Sequence, residues 1–410
     1  MRALTLSLAA LFVTTSISGS DWPQWRGPLR NGVATVPAPP ADWPPELART
    51  WSVEVGVGHS SPIVLGDRVY VFSREGEHEV MRALQLGSGE TLWEQAYDAP
   101  YTMNPAATSH GKGPKSTPLA AGGRIFALGI AGTLSALDAA SGRVLWKSEF
   151  SDRFPKTSPL YGSAASPLIA GGKLLIHLGG PGQGALFALD PLTGKPLWTW
   201  SGDGPGYASP IVATFDQVEQ VVTQTDAHIV AIDLESGRLL WSVPFTTPYD
   251  QNVVSPVVHG NRLVFAGLEA DTFALEPKLG ADGFAPKELW RTETTFYMST
   301  PVLTGDRMLG FSNQKKGQLV ALDARTGQKL WESEGRLGDN AAIVLWGGYV
   351  MVLTSAGELF VLEAAAERFS PMRRYTVAES PTWAHPIPTS AGILVKDESH
   401  LTLWRPAPQL

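Results

Sequence analysis

The 410-residue chain contains no cysteine. This excludes disulfides, thiolate metal sites, cysteine nucleophiles, covalent c-type haem attachment and a lipid carried on an N-terminal cysteine. Charge is also sparse: 17% of residues are charged and the formal net charge is −7. Apart from the stretch His110 to Lys115 there is no basic cluster, so neither nucleic acid nor anionic lipid is expected as the main partner. A sustained 3.6-residue hydrophobic period is missing, which disfavours helical repeats. Long apolar runs are missing too, except at the start. There Met1-Arg2 precedes an apolar stretch, Ala3 to Val13, too short to span a bilayer. Thr14 to Ser20 follows, small and polar, with Ser18 and Ser20 spaced as at a signal-peptide cleavage site. Residues 1–20 are therefore expected to direct export, leaving a soluble periplasmic or secreted protein that is not a lipoprotein.

Several enzyme signatures are absent as well. The chain has no His-Glu-x-x-His zinc motif and no Gly-x-Ser-x-Gly elbow. Gly111-Lys112-Gly113-Pro114-Lys115-Ser116-Thr117 fails as a phosphate loop, because Lys112 is followed by Gly and Pro114 opposes a following helix. Gly179 to Gly184 lacks dinucleotide spacing and reads as a hairpin tip.

What is abundant is punctuation: 42 Gly, 32 Pro and 14 Trp spread along the chain. One phrase recurs, reading Asp, two residues, Ser or Thr, Gly, three residues, Trp. It ends at Trp146, Trp198, Trp241 and Trp331, and a copy with Gln85 for Asp ends at Trp93. In such a hairpin the Asp accepts bonds from turn N–H groups, Gly supplies a positive φ, and the next strand carries an indole at a fixed offset. A second marker, a Pro opening an apolar strand, stands at Pro62, Pro118, Pro167, Pro210, Pro256, Pro301 and Pro386, after Ser or Thr in the first six and after His385 in the last, with Ile343 holding the equivalent place in one unit. Proline is tolerated at the start of a strand. The aromatic markers Trp51, Trp93, Trp146, Trp198, Trp241, Trp290, Trp331 and Tyr375 begin one step before the first opening.

Eight units near the mid-forties in length, each with about four strands, indicate an all-β, eight-bladed β-propeller of four-stranded antiparallel blades. The Trp51 strand has no inner strands before it, and the last unit lacks a fourth strand. Their pairing would close the ring and remove an open edge. The expected organisation is 1–20 signal peptide, 21–50 extended lead-in, 51–404 propeller and 405–410 tail, in a monomer. The seven Trp of the series are assigned to blade docking. Trp22 and Trp25 are expected to pack the lead-in against the barrel wall, with Arg26 in a salt bridge or exposed.

This Trp-docked unit resembles the repeat of the PQQ-like family of propellers, over roughly Trp22 to Trp404. That family includes quinoprotein alcohol dehydrogenases and the propeller subunit of the outer-membrane β-barrel assembly machinery. The opening Asp21-Trp22-Pro23-Gln24-Trp25-Arg26-Gly27-Pro28 also resembles the lead-in of exported bacterial proteins of this type. The dehydrogenase branch implies PQQ with calcium over the channel, acidic and amide ligands, a catalytic Asp and a pair of adjacent cysteines. The cysteines are missing, and Asp250 and Asp339 are the only acids beside the mouth, so no cofactor, metal or catalytic residue is assigned. The assembly branch implies a protein-binding rim.

Propeller topology puts the residues just before each strand opening around one mouth of the channel. These are His59, Lys115, Tyr161, Tyr207, Gln251, Asn252, Tyr297, Asn340 and Trp383, with Ser163 and His385 beside them. The long link from Trp93 to Pro118 adds Tyr101, Asn104, His110 and Lys112. Aromatics give contact area and amides give hydrogen bonds, so this set suits an envelope protein or a small polar ligand. The expected function is a non-catalytic binding or scaffold protein of the cell envelope. The alternative is a PQQ-dependent dehydrogenase or other small-molecule enzyme.

Overall fold

The computed structural model describes residues 21–34, 38–40, 42–154 and 159–407. The expected export signal at 1–20 lies outside the described residues. The strands form eight sheets, each built on four antiparallel strands, arranged as the blades of a propeller. Blade 1 runs Ile63–Leu65, Arg68–Glu75, His78–Gln85 and Thr91–Asp98. Every Pro marker stands immediately before its blade's innermost strand, as at Leu119–Ala121, Leu168–Ala170 and Val302–Thr304.

The ring closes as the marker count predicts. Leu47–Glu54 pairs antiparallel with His400–Pro406 and supplies the outer strand of blade 8. This strand begins before Trp51, so the lead-in is shorter than the expected 21–50. The last strand continues to Pro406, into the segment assigned to the tail.

The recurring turn shows why its residues are needed. Asp138 accepts from the Ser141 N–H at 2.9 Å and from the Ser141 hydroxyl at 2.7 Å. Asp233 accepts from the Ser236 N–H at 2.7 Å. Gly142 sits at φ 73°, Gly237 at φ 74° and Gly327 at φ 74°. The following indole lies flat on the corresponding glycine of the next blade: Trp93 on Gly142, Trp146 on Gly194, Trp198 on Gly237 and Trp290 on Gly327. A methyl at Gly327 would meet Trp290 at 2.4 Å. Each indole N–H then donates across the same seam, from Trp93 to Ala139 O at 3.2 Å, from Trp290 to Ala324 O at 3.1 Å and from Trp331 to Ala366 O at 2.9 Å.

Two details free the indole to lean outward. A register shift falls beside it in blades 1 to 6, and a bulge re-aims the side chain. The residue opposite is a buried alanine, as with Trp146 and Ala136 or Trp241 and Ala231. Trp241 departs from the docking pattern. Blade 5 replaces the short turn with a long hairpin, Ala270–Gly280 to Gly283–Thr292, and the Trp241 indole donates within its own blade to Gln220 Oε1 at 2.8 Å.

Candidate functional site

The innermost strands start at one mouth of the channel, and a ring of hydroxyls ties them there. The Ser61 N–H donates to Thr117 Oγ1 (3.2 Å), Thr117 to Ser166 Oγ (3.0 Å), Ser166 to Ser209 Oγ (2.9 Å), Ser209 to Ser255 Oγ (2.9 Å) and Ser255 to Thr300 Oγ1 (3.1 Å). The His385 N–H donates back to Ser61 Oγ at 3.0 Å. The Ser or Thr before the marker Pro of blades 1 to 6 therefore carries a blade-to-blade bond. The ring is interrupted at blade 7, whose strand Ala341–Trp346 has Ala342 at this level.

The lead-in does not lie on the outer wall. It crosses the channel below this ring, bonding in turn to blades far apart in sequence. Trp22 exchanges backbone bonds with Val64 at 2.8 and 2.9 Å, and the Ala120 N–H reaches Pro23 O at 2.7 Å. Arg30 donates to Pro167 O at 2.9 Å and Ser166 O at 3.2 Å. Arg26 is 1% exposed and donates to Thr300 O at 2.5 Å and Pro301 O at 2.6 Å. The expected salt bridge or exposure of Arg26 is thus corrected: its partners are carbonyls that the propeller leaves facing the channel. Val33–Ala34 then pairs parallel with blade 7, and Trp43 packs on Trp346, Tyr349 and Tyr375.

Trp25 faces up from this crossing segment. The Arg26 and Arg30 guanidinium carbons lie 5.5 and 5.4 Å from its ring centroid, and His385 meets it edge-on at 5.9 Å. The result is a cavity of about 170 Å³ floored by Trp25 and walled by His59, His110, Lys115, Tyr161, Tyr207, Asn340, Trp383 and the hydroxyl ring. The long link from blade 1 folds over it. Its 3₁₀ turn Pro105–His110 sets the His110 ring 4.9 Å from Tyr161 and 6.1 Å from Trp383, and His59 Nε2 meets His110 O at 3.1 Å.

Not every residue that topology placed at the mouth enters the cavity. Gln251 forms a second tier, donating to the Tyr161 hydroxyl at 3.0 Å and accepting from the Tyr297 hydroxyl. Asn252 is buried and its amide donates to Thr225 O at 2.7 Å and Phe245 O at 3.2 Å, which holds the main chain. Asn104 caps the 3₁₀ turn by accepting from the Ala106 N–H. Lys112 turns outward to Glu77 at 3.1 Å. The Tyr101 hydroxyl packs on Gly162. Trp25 and the hydroxyl ring were missed as site residues. The repeated Ser or Thr before the marker Pro of blades 1 to 6 was the available signal for the ring.

The electrostatics are one-sided. Among the residues lining the cavity there is no carboxylate. Burial holds His59 and His385 down to about 3, so both are neutral, and lowers His110 as well. Desolvation brings Lys115 to about 8, partly offset by attraction to Glu79. Glu79 itself is buried, accepting from the Tyr97 hydroxyl and the Ile130 N–H, both at 2.7 Å. Calcium needs about six to eight oxygen ligands, prominently carboxylates. Hydroxyls, imidazoles, one amide and an ammonium do not fit it, and an ammonium at the rim repels it. The residues present therefore do not match a calcium–quinone centre.

The sequence profile of the family described as outer membrane protein assembly factor BamB matches residues 76–280 and 226–368. The chain belongs to this family. It is 24% identical over 372 residues to outer membrane protein assembly factor BamB of Yersinia pestis, covering 86% of each chain. Among solved structures, BamB from Moraxella catarrhalis superposes with a TM-score of 0.62 at 19% identity, covering 89% of this chain and 99% of that one. The quinohemoprotein alcohol dehydrogenase of Comamonas testosteroni superposes at 0.68 with 15% identity, covering 97% and 82%. Likeness at that identity establishes the shared propeller and not the activity.

Proposed function

We propose that this BamB-family chain is a non-catalytic binding protein of the cell envelope, working through the Ser/Thr-Pro face and its channel mouth in outer-membrane protein assembly. The observation that carries this is the mouth itself. A segment of the chain seals the channel below, no carboxylate lines it, and the inter-blade links above present aromatic and amide side chains. Such a rim offers contact area and hydrogen-bonding groups to a bound partner. The relatives' naming as assembly factors supports the envelope setting.

The reading is tested by placing a photo-crosslinking residue at Tyr249, which is 75% exposed on the link between blades 4 and 5, and at Leu192, 41% exposed on a Ser/Thr-Gly turn of the opposite face. Cross-links to outer-membrane assembly proteins are expected from Tyr249 and not from Leu192. The reverse pattern overturns the choice of face. Alcohol oxidation after reconstitution with PQQ and calcium would overturn the non-catalytic reading.

A further inference from the structure

The cavity carries more positive charge than its own walls answer. Lys115 stands at its rim, where among the described residues its ammonium donates to Gly111 O at 3.2 Å and to no carboxylate. Arg26 and Arg30 lie directly beneath the Trp25 floor, bonded to carbonyls and to the Gln24 amide oxygen rather than to acids. The nearest buried carboxylate, Glu79, is held by Tyr97 and Ile130. A polar group without a partner also lines the cavity: the Ser299 hydroxyl is buried and takes no hydrogen bond among the described residues. A buried polar group left unsatisfied costs about 1–3 kcal/mol, which is relieved when a ligand supplies the partner.

The walls set the rest of the ligand. Trp25, Tyr161, Tyr207 and Trp383 present ring faces and edges. The volume of about 170 Å³ is close to the ~150 Å³ of a cavity that holds benzene. We infer that the cavity is a binding site for a small organic carboxylate with an apolar body of about one ring, its anionic end toward Lys115 and its ring on the aromatic wall. Neutral His59 and His385 would contribute hydrogen bonds without competing for the anion. The inference rests on the channel mouth being a binding site.

The probe is benzoate, with benzamide as its neutral counterpart of equal shape, titrated calorimetrically into the full exported chain. Benzoate is expected to bind saturably and at least about tenfold more tightly than benzamide. Lys115→Gln should abolish that preference while leaving benzamide affinity unchanged. In the unaltered protein, benzoate affinity should fall from about pH 7 to about pH 9.5 as the ammonium loses its proton. The charged and titratable groups acting with Lys115 are Glu79, His59 and His110, and Lys396 acts on His59 in turn, buried against Gly58 O at 2.7 Å and also lowered to about 8. Both lysines are lowered to about 8, so the pH dependence must vanish in Lys115→Gln if Lys115 is responsible. Equal binding of the two probes, no binding at millimolar concentration, or an unchanged pH profile in Lys115→Gln overturns the inference. If Lys115→Gln does not fold, Lys115→Arg should retain the benzoate preference. Retained cross-linking from Tyr249 in a protein that ignores benzoate would reject the anion site alone and leave the protein-binding rim standing.

Discussion

At the scale of single residues, the repeat assigns each side chain a job that substitution can check. Trp290 is buried, lies on Gly327 and bonds to Ala324 O. Trp290→Ala should cost about 3–5 kcal/mol in a chemical denaturation experiment, as for other buried large aromatics. Gly327→Ala should also destabilise, because it forces a positive φ on alanine and drives a methyl into the indole. Gln220→Ala is a sharper test. It leaves the Trp241 N–H without its partner and should cost about 1–3 kcal/mol. The corresponding loss at the other docking tryptophans cannot be produced by a side-chain change, since their acceptors are backbone carbonyls. The buried histidines give a pH signature. His59 and His385 are lowered to about 3 and His177 to about 4. Their folded pKa lies below the unfolded value near 6.5, so their contribution is present above that value and is lost as pH falls toward 3–4. Potentiometry coupled to denaturation at about pH 5 should find these three sites taking up protons on unfolding. No net uptake would contradict their burial as neutral groups.

At the scale of elements, the hydroxyl ring explains why Ser or Thr, and not only Pro, recurs at the strand openings of blades 1 to 6. Pro starts the strand without wasting an N–H, and the hydroxyl before it accepts from the neighbouring blade. Ser209→Ala removes the acceptor for the buried Ser166 N–H and should lower stability by about 1–3 kcal/mol. Ser209→Thr keeps the hydroxyl and should largely restore it; equal loss in both variants would show that the hydroxyl bond is not the cause. The same comparison shows where sequence reasoning reaches its limit. Spacing sets the path of the main chain, and His59, Lys115, Tyr161, Tyr207, Asn340 and Trp383, expected at the mouth, line the cavity. Spacing does not set side-chain direction. Asn252 and Lys112 have the right address but turn to Thr225 O and Glu77 instead.

At the scale of the whole molecule, blade number and ring closure were legible because they follow from counting: eight aromatics, eight strand openings and an offset of one. The crossing lead-in was not legible. Arg26 reaches Pro301 across 275 residues and Arg30 reaches Pro167 across 137. Their acceptors are backbone carbonyls, which no residue type announces. Closure itself rests on one antiparallel pair, in which Ser52 stands opposite Thr402 with their hydroxyl oxygens 2.8 Å apart. Disulfide geometry requires Cβ atoms about 3.5–4.5 Å apart, which facing side chains in such contact satisfy. The absence of native cysteine makes the test clean, because Ser52→Cys with Thr402→Cys has no other thiol to pair with. A bond there would span almost the whole chain and restrict the unfolded state strongly, so stabilisation of about 2–5 kcal/mol is expected under oxidising conditions. Thermal unfolding with and without reductant measures it. If seam opening is the first step of unfolding, the oxidised form should also unfold more slowly than a disulfide inside a single blade would make it. A pair that fails to oxidise, or that oxidises without changing the unfolding rate, would place the weak point of the ring elsewhere than between the Leu47–Glu54 strand and blade 8.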